Sequence, residues 1–437
     1  MDNNSLLYKI SSVDYLTKAW LKLNKTNELS HGLSDESIKT FDKDKEDKIQ
    51  SISRKLREEK YHFSPYRPVL IPKRDGTERP LQIPEIQDRL VFKALALELE
   101  EIFNDTLKLS EGISFAYQKN IGIRQAIEKI KNHYQAGNTY VFESDLVDFF
   151  TSVDKELLLR DRILPKLPDT SINQLLIDGL SQNIGKIEKL IPESKQHYFE
   201  NCNKGVPQGN PLSPLFSNIY LSPFDLHLKS KGFNLVRYAD DFVILCDSRD
   251  RCMQAYEESL NILSSDKLKL TIHELDKANK KGKVKTQIFD IHQHPLHFLS
   301  ITFDGKNIFP SRENVDGLKE KIKQVCHEEG LTVATLLTKL SNKLDGWVSA
   351  FYYTNLDRYS KEIDSYINRQ VFLSLRSLEW RFNLKHIGKL PVQYKEKRQS
   401  GDCLSFKQRR NSGIPICKDL ISKKRADERK RFKEKTK

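Results

Sequence analysis

The chain has 437 residues, 38% hydrophobic and 30% charged, with a formal net charge of +13; this balance suits a soluble globular protein with core for two or three domains and excludes disorder throughout. No apolar run approaches the roughly eighteen residues of a membrane span, and the polar opening MDNNSLLYKISSVDY lacks the layout of a secretory signal, so a cytoplasmic protein is expected. The cysteines (Cys202, Cys246, Cys252, Cys326, Cys403, Cys417) form no C-x-x-C pair, and no His cluster has zinc-finger spacing, so neither a disulfide framework nor a structural zinc site is supported.

Residues 1 to about 60 carry apolar positions at intervals of three and four amid charge (Leu16, Trp20, Leu21, Leu23, then Ile49, Ile52, Leu56), which predicts a helical N-terminal extension over 1–60. In YHFSPYRPVLIPKRDGTERPLQIPEIQDRL five prolines forbid a continuous helix, and PVLIPKRDGTERPLQIP predicts two short strands around the turn Asp75-Gly76. A helix is expected from about Asp88 to Phe103, and TYVFESDLVDFFTSV predicts an apolar strand entering an acidic, aromatic turn. Helices follow through LRDRILPKLPDTSINQLLIDGLSQNIG, and GVPQGNPLSPLFSNIYL reads as a Gly/Pro loop entering a helix, with Ser213 as its cap and Pro214 in its first turn. LVRYADDFVILC predicts strand, tight turn, strand; a helix from about Arg251 to Ser264 then leads to the strand LKLTIH, a Lys-rich insertion and the hairpin LHFLSITFDGKNIF. Helical spacing recurs from Ser311 to about Leu375. Between Arg381 and Lys437 there are 19 Lys and Arg against 6 Asp and Glu, a net of +13 that equals the excess of the whole chain. Such a tail suits nucleic-acid phosphates, although a merely solubilising tail has the same composition. Helices, a mixed centre, a helical bundle and a basic end predict an α+β protein rather than a doubly wound sheet.

The adjacent acids Asp240 and Asp241 lie between two runs apolar enough to be buried strands. Carboxylates held so close repel each other and lose hydration, and a divalent cation is the usual remedy, though two solvent-facing turn aspartates are the less favoured alternative for this stretch alone. Asp145, at the end of another apolar strand, supplies a third carboxylate. Three carboxylates on adjacent strands suit two Mg²⁺ ions about 4 Å apart, one lowering the pKa of a 3′-hydroxyl and one neutralising a triphosphate and its leaving pyrophosphate. Asp148 is a candidate helper, although its spacing from Asp145 points it away, and Glu143 lies on the face opposite Ser144. Lys73 and Arg79 flank the Asp75-Gly76 turn, where a two-stranded finger brings both over a triphosphate. Gly205 and Gly209 let backbone approach a base pair closely, Gln208 is placed to hydrogen-bond a base or sugar, and Phe150, five residues after Asp145, is placed to exclude a 2′-hydroxyl.

In order and approximate spacing, IPKRDGTERPLQIP, SFAYQKNIG, ESDLVDFF, GVPQGNPLSPLFSNIYL, RYADDFVI and FLSITFDG resemble the successive motifs of bacterial reverse transcriptases, and SRENVDGLKEKIKQV to LDGWVSAFYY resembles the thumb of the group II intron type. The resemblance spans about residues 40 to 375. It implies a right-hand polymerase: fingers and palm over 61–310, a helical thumb over 311–380 and a basic RNA-binding tail over 381–437. It implies RNA-directed DNA polymerase activity with two Mg²⁺ ions held by Asp145, Asp240, Asp241 and the Leu146 carbonyl, with Phe150 as steric gate. Lys73 and Arg79 become triphosphate contacts, Gln208 with Gly209 the template and nucleotide contact, and Phe298 to Gly305 the primer grip.

Two departures matter. Lys285-Thr286 stands where the family has its Lys-Thr motif, but DKANKKGKV is inserted before it and Ser300 replaces a glycine; Lys285 is read as the residue that steadies or protonates pyrophosphate, with Lys277 as alternative. The loop reads PQGNPLSP where mobile intron enzymes have PQGG-x-LSP, a form that resembles retron-like, abortive-infection and defence-associated reverse transcriptases. The implied partners are a noncoding RNA template, dNTPs and an RNA/DNA duplex, with self-assembly or an accessory protein left open and no membrane. The leading expectation is an enzyme copying a dedicated noncoding RNA in antiphage defence. The alternative is a maturase that binds and folds a group II intron; an RNA-dependent RNA polymerase is disfavoured by Phe150.

Overall fold

The structure is a computed structural model describing residues 4–73, 76–278, 282–377 and 406–435. Asp75 of the expected turn, residues 279–281 of the Lys-rich insertion and residues 381–405 of the basic segment, Cys403 among them, lie outside the described residues. By backbone contacts the chain divides into two units, 1–290 and 291–437.

In the first unit the N-terminal periodicity becomes short helices that include α1 (Val13–Lys22) and α2 (Lys45–Arg57). Leu16, Ala19 and Trp20 share the buried face of α1, and the Trp20 indole donates to Asp42 (2.9 Å) while packing on Phe41. Strands β1 (Arg67–Pro72) and β2 (Glu78–Ile83) form an antiparallel ribbon closed by a turn in which Gly76 has φ +81°. Helix α3 (Ile86–Ile102) is buried nearly all round, which is why its sequence runs LVFKALALEL rather than showing one apolar stripe. Its Asp88 is fully buried, accepts from the Tyr61 hydroxyl (2.6 Å) and the Ser64 N–H (3.0 Å), and is pushed up to about 6 by burial.

The central sheet is antiparallel throughout, in the order β4 (Asn234–Tyr238), β5 (Asp241–Cys246), β3 (Tyr140–Asp145), β6 (Gln287–Asp290). Helices α5 (Ser213–Ser230) and α6 (Arg249–Leu263) pack against it, with α4 (Phe149–Ser152) following β3. Phe142, Phe224 and Phe242 interlock edge to face in its core. Two local expectations are corrected. Ser213 is already helical and its hydroxyl donates to the Pro207 carbonyl (2.7 Å); the N–H of Leu212, at the cap position, is taken instead by the Asn210 side chain (2.8 Å). LKLTIH forms no full strand: it meets the chain after β3 through the bridge of Ile272 with Leu146 and the Val147 N–H on the Thr271 carbonyl (3.0 Å), and the residues that follow, Leu275 and Asp276, pair with Thr286 instead.

The second unit begins with an antiparallel meander, β7 (Leu296–Phe298), β8 (Ile301–Phe303) and β9 (Ile308–Pro310). Its first turn, Leu299-Ser300, has φ of +52° and +65°, the signature of a type I′ hairpin normally given to Asn or Gly. Helices α7 (Arg312–Cys326), α8 (Val333–Phe351) and α9 (Asp357–Ser377) follow, the first two capped by Ser311 and Thr332. Residues 417–435 of the basic end form helix α10 (Cys417–Lys435), anchored rather than loose. Asp364 of α9 accepts the Cys417 N–H (2.8 Å) and is paired with the buried Arg409. Arg425 donates to the Tyr352 and Thr354 carbonyls and to Asp357. Lys418, Lys423, Arg429, Lys430 and Arg431 face solvent. No helix among the described residues is long and apolar enough to cross a membrane.

Candidate active site

The three aspartates singled out in the sequence come together at one end of the central sheet. Asp145 closes β3 and Asp241 opens β5, and the two are direct cross-strand partners. Asp241 is also opposite Tyr238 at the end of β4, which leaves a two-residue loop, Ala239-Asp240. Ala239 has φ +58°, so the first loop residue takes the left-handed conformation that lets a two-residue loop follow the twist of its strands. The N–H of Leu146 donates to the Asp240 carbonyl (3.2 Å), tying the end of β3 to the same turn.

Electrostatics follow from that crowding. Asp241, though its outer edge is open to solvent, is pushed up to about 7 by burial of the rest and by the charges of Asp240 and Asp145. Asp240 is also held above the usual carboxylate range, chiefly by burial and with a contribution from Asp145, while Arg79 and Lys285 pull it down. Lys285, 140 residues away in sequence, places Nζ 2.5 Å from Asp145 Oδ2. Burial opposes its charge, but that hydrogen bond and the three aspartates outweigh it and hold the ammonium above its ordinary value. The alternative cation, Lys277, pairs with Glu274 on the surface. Among the described residues no three His, Cys, Asp or Glu side chains already converge as a ligand set; Asp145 turns toward Lys285 instead. The residues nevertheless fit a divalent cation, since Asp145 Oδ1 is buried with no hydrogen-bond partner and the hard oxygen donors lie around a site of mutual repulsion.

Around the aspartates the other expected residues fall at three places. Phe150 sits in α4 against Phe149, and its carbonyl accepts the Val206 N–H (2.8 Å). A Cβ on Gly205 would lie 1.8 Å from that carbonyl oxygen, and one on Gly209, at φ +117°, would lie 2.7 Å from the Gln82 carbonyl oxygen. At both glycines the chain's own backbone already makes a close approach that a Cβ would block. The Gln208 carbonyl accepts the Gln82 N–H (2.7 Å), docking this loop on β2. Asn210, the departure from the intron form, is buried and donates to the Tyr66 hydroxyl (2.8 Å). Lys73 and Arg79 are exposed at the end of the β1–β2 ribbon, and of the two Arg79 bears electrostatically on Asp240 and Tyr117.

Three further groups at the site were given no role from the sequence. Glu143 lies two residues behind Asp145 on the same strand face, accepts from Gln287 (2.9 Å) and is pushed up to about 7, chiefly by burial; the period of two was the available signal. His273 stands 3.7 Å from Asp145 Oδ1, and nothing local to its sequence marks it. Arg237, within the quoted RYADDFVI, is wholly buried behind the turn.

With this geometry in hand, comparison with known proteins is informative. The family described as reverse transcriptase (RNA-dependent DNA polymerase) matches residues 71–303, just over half of the chain. The chain is 30% identical over 319 residues to the group II intron-encoded protein LtrA of Lactococcus lactis subsp. cremoris, covering 68% of this chain and 47% of that protein. It is 27% identical over 268 residues to the protein YkfC of Escherichia coli (strain K12), covering 51% of this chain and 67% of YkfC. It spans a fifth of the putative COX1/OXI3 intron 2 protein of Saccharomyces cerevisiae and about half of LtrA. Among solved structures, a partial Cas6-RT-Cas1–Cas2 complex aligns at 27% identity and TM-score 0.37, over 60% of this chain and 42% of that one, and an apo telomerase from Candida Tropicalis at 14% and 0.40, over 83% and 62%. On the family match over the sheet that carries Asp145, Asp240 and Asp241, this α+β chain belongs to the reverse transcriptase family.

Proposed function

We propose that the chain is an RNA-directed DNA polymerase that copies an associated noncoding RNA, with Asp145, Asp240 and Asp241, joined by the Leu146 carbonyl, as ligands of two Mg²⁺ ions. The observation that carries the reading is the register of β3 against β5, which sets Asp145 opposite Asp241 with Asp240 in the adjoining turn. When bound, the divalent ions supply a more acidic primer 3′-hydroxyl and neutralise triphosphate charge. The residues do the rest. The aspartates fix the end of the sheet at which the primer 3′-oxygen bonds to the α-phosphorus and pyrophosphate leaves. Arg79 and Lys73 hold the triphosphate as cations, and Lys285, within reach of the site through Asp145, steadies or protonates the departing pyrophosphate. Phe150 bars a 2′-hydroxyl, and Gln208 with Gly209 shapes the loop that faces the template pair.

A primer-extension assay on an RNA template with dNTPs and Mg²⁺ tests this. Wild-type protein is expected to extend the primer; Asp240→Ala or Asp241→Ala abolishes synthesis and leaves RNA association within a few-fold. Synthesis retained in either variant removes the metal assignment. The antiphage role rests on the Asn210-Pro211 form of the loop. A maturase role, in which the chain binds and folds a group II intron, is favoured instead by the 30% identity to the group II intron-encoded protein LtrA. Sequencing the RNA and DNA recovered with the protein before and after phage infection separates them: a short noncoding RNA with its cDNA supports the first, intron RNA the second.

A further inference from the structure

We propose that Arg237 is a positioning residue that fixes the aim of Asp240 by holding the peptide between Ala239 and Asp240. The inference rests on the polymerase reading above. Arg237 is the penultimate residue of β4, and its guanidinium has no exposed surface. Nε and Nη2 grip the two carboxylate oxygens of the equally buried Asp225, on α5, at 2.7 and 2.6 Å. With both of those nitrogens committed, Nη1 donates to the Ala239 carbonyl (3.0 Å) and, more weakly, to Asn218 Oδ1 (3.3 Å).

Ala239 is the loop residue at φ +58°, a conformation unfavourable for any residue with a Cβ. Rotation of its carbonyl is what would swing the following residue, Asp240, away from Asp145 and Asp241. Among the described residues, the side chain that donates to that carbonyl is Arg237, whose fork is locked in plane by the bidentate grip of Asp225. The backbone of Arg237 is fixed as well, its N–H donating to the Ile113 carbonyl (2.8 Å) and its carbonyl accepting from Phe115 (2.9 Å). Any buried guanidinium must satisfy its Nη1 donors; here one of the acceptors is the turn carbonyl that precedes Asp240. Lysine at 237 carries the charge but has no planar fork, so it cannot grip Asp225 with two nitrogens while a third holds Ala239.

The test compares wild type, Arg237→Lys and Asn218→Asp, the last leaving the Arg237–Asp225 pair intact but giving Nη1 a charged competitor to the Ala239 carbonyl. Two quantities are read: Mn²⁺ binding, from the paramagnetic resonance of the free ion, and the Mg²⁺ dependence of primer extension. For a folded Arg237→Lys the half-saturating concentration should rise about tenfold or more in both, with the dNTP KM changed less than twofold, and for Asn218→Asp by a smaller factor in the same direction. A folded Arg237→Lys with wild-type metal dependence overturns the proposal; if that variant does not fold, wild-type metal dependence in Asn218→Asp does so. Failure of the wild type to extend a primer would overturn the polymerase reading alone, because the Mn²⁺ comparison still decides the role of Arg237.

Discussion

Gly205→Ala puts the loop packing to a quantitative test. The added Cβ would lie 1.8 Å from the Phe150 carbonyl oxygen and 2.6 Å from the Thr151 Cα, both backbone atoms that no rotamer change can move aside. Reaching even the 3.0 Å that real Cβ contacts respect requires a separation of about 1.2 Å between the loop and α4. That shift breaks the 2.8 Å hydrogen bond from Val206 to Phe150. Overpacking costs about 1–3 kcal/mol and the lost hydrogen bond about 1 kcal/mol, so a destabilisation of about 3 kcal/mol is expected. In a unit of 290 residues that corresponds to roughly 5 °C in Tm. Because Phe150 moves with its carbonyl, dNTP incorporation should fall by about 100-fold, the usual penalty for a misplacement of about 1 Å. Scanning calorimetry and single-nucleotide incorporation read the two effects. An alanine variant that melts within a degree of wild type and incorporates dNTPs normally would refute the packing.

Three other outcomes are expected. Glu143 ionises only near pH 7 in the folded chain but near 4.5 when unfolded, so between those values the unfolded state holds fewer protons and stability falls as pH rises, levelling off above 7. Glu143→Gln should therefore be more stable than wild type by about 3 kcal/mol at pH 8 and nearly equal to it at pH 4 in denaturant titrations; equal stability at both would contradict the burial of that carboxyl. Phe150→Ala should raise ribonucleotide incorporation relative to deoxyribonucleotide by roughly tenfold or more, and unchanged sugar selectivity in steady-state kinetics would move the gate elsewhere. Replacing the exposed Lys423, Arg429 and Lys430 by alanine should leave the melting temperature alone and make the slope of log affinity against log salt shallower by about 2 for single-stranded RNA, at roughly 0.7 per phosphate contact; an unchanged slope in filter binding would mean that this face of α10 is only solvated.

What the sequence revealed was mostly what local chemistry dictates. Adjacent aspartates between two apolar runs can hardly be anything but a tight turn, and helical spacing from Ser311 onward marked α7 to α9 because one face of each must be buried. Features fixed by partners far along the chain were another matter. Ser213 looks like a cap until Asn210 is seen to take the Leu212 N–H, and Asn210 is held there by Tyr66, 144 residues earlier. LKLTIH has strand composition but bridges Leu146 at only one residue, Ile272, while Leu275 and Asp276 just beyond it pair with Thr286, a partner no local pattern announces. Lys285 and Lys277 were hard to rank by spacing alone; their surroundings differ, one on Asp145 inside the site and one on a surface Glu274. Arg237 stood within a quoted motif, yet its role is visible only with Asp225 and Asn218 in place.

The segment from Gly205 to Gly209 is pinned to the Phe150 carbonyl near one end and to the Gln82 N–H near the other. It thus acts as a splint between the residue assigned to judge the sugar and the residue assigned to meet the template. Neither can be retuned alone: a substitution that relaxes sugar choice by moving the backbone at Phe150 would be transmitted through Val206 and Pro207 to Gln208. Variants selected for broader nucleotide use at this site should therefore also copy less faithfully, unless the change is confined to the Phe150 ring.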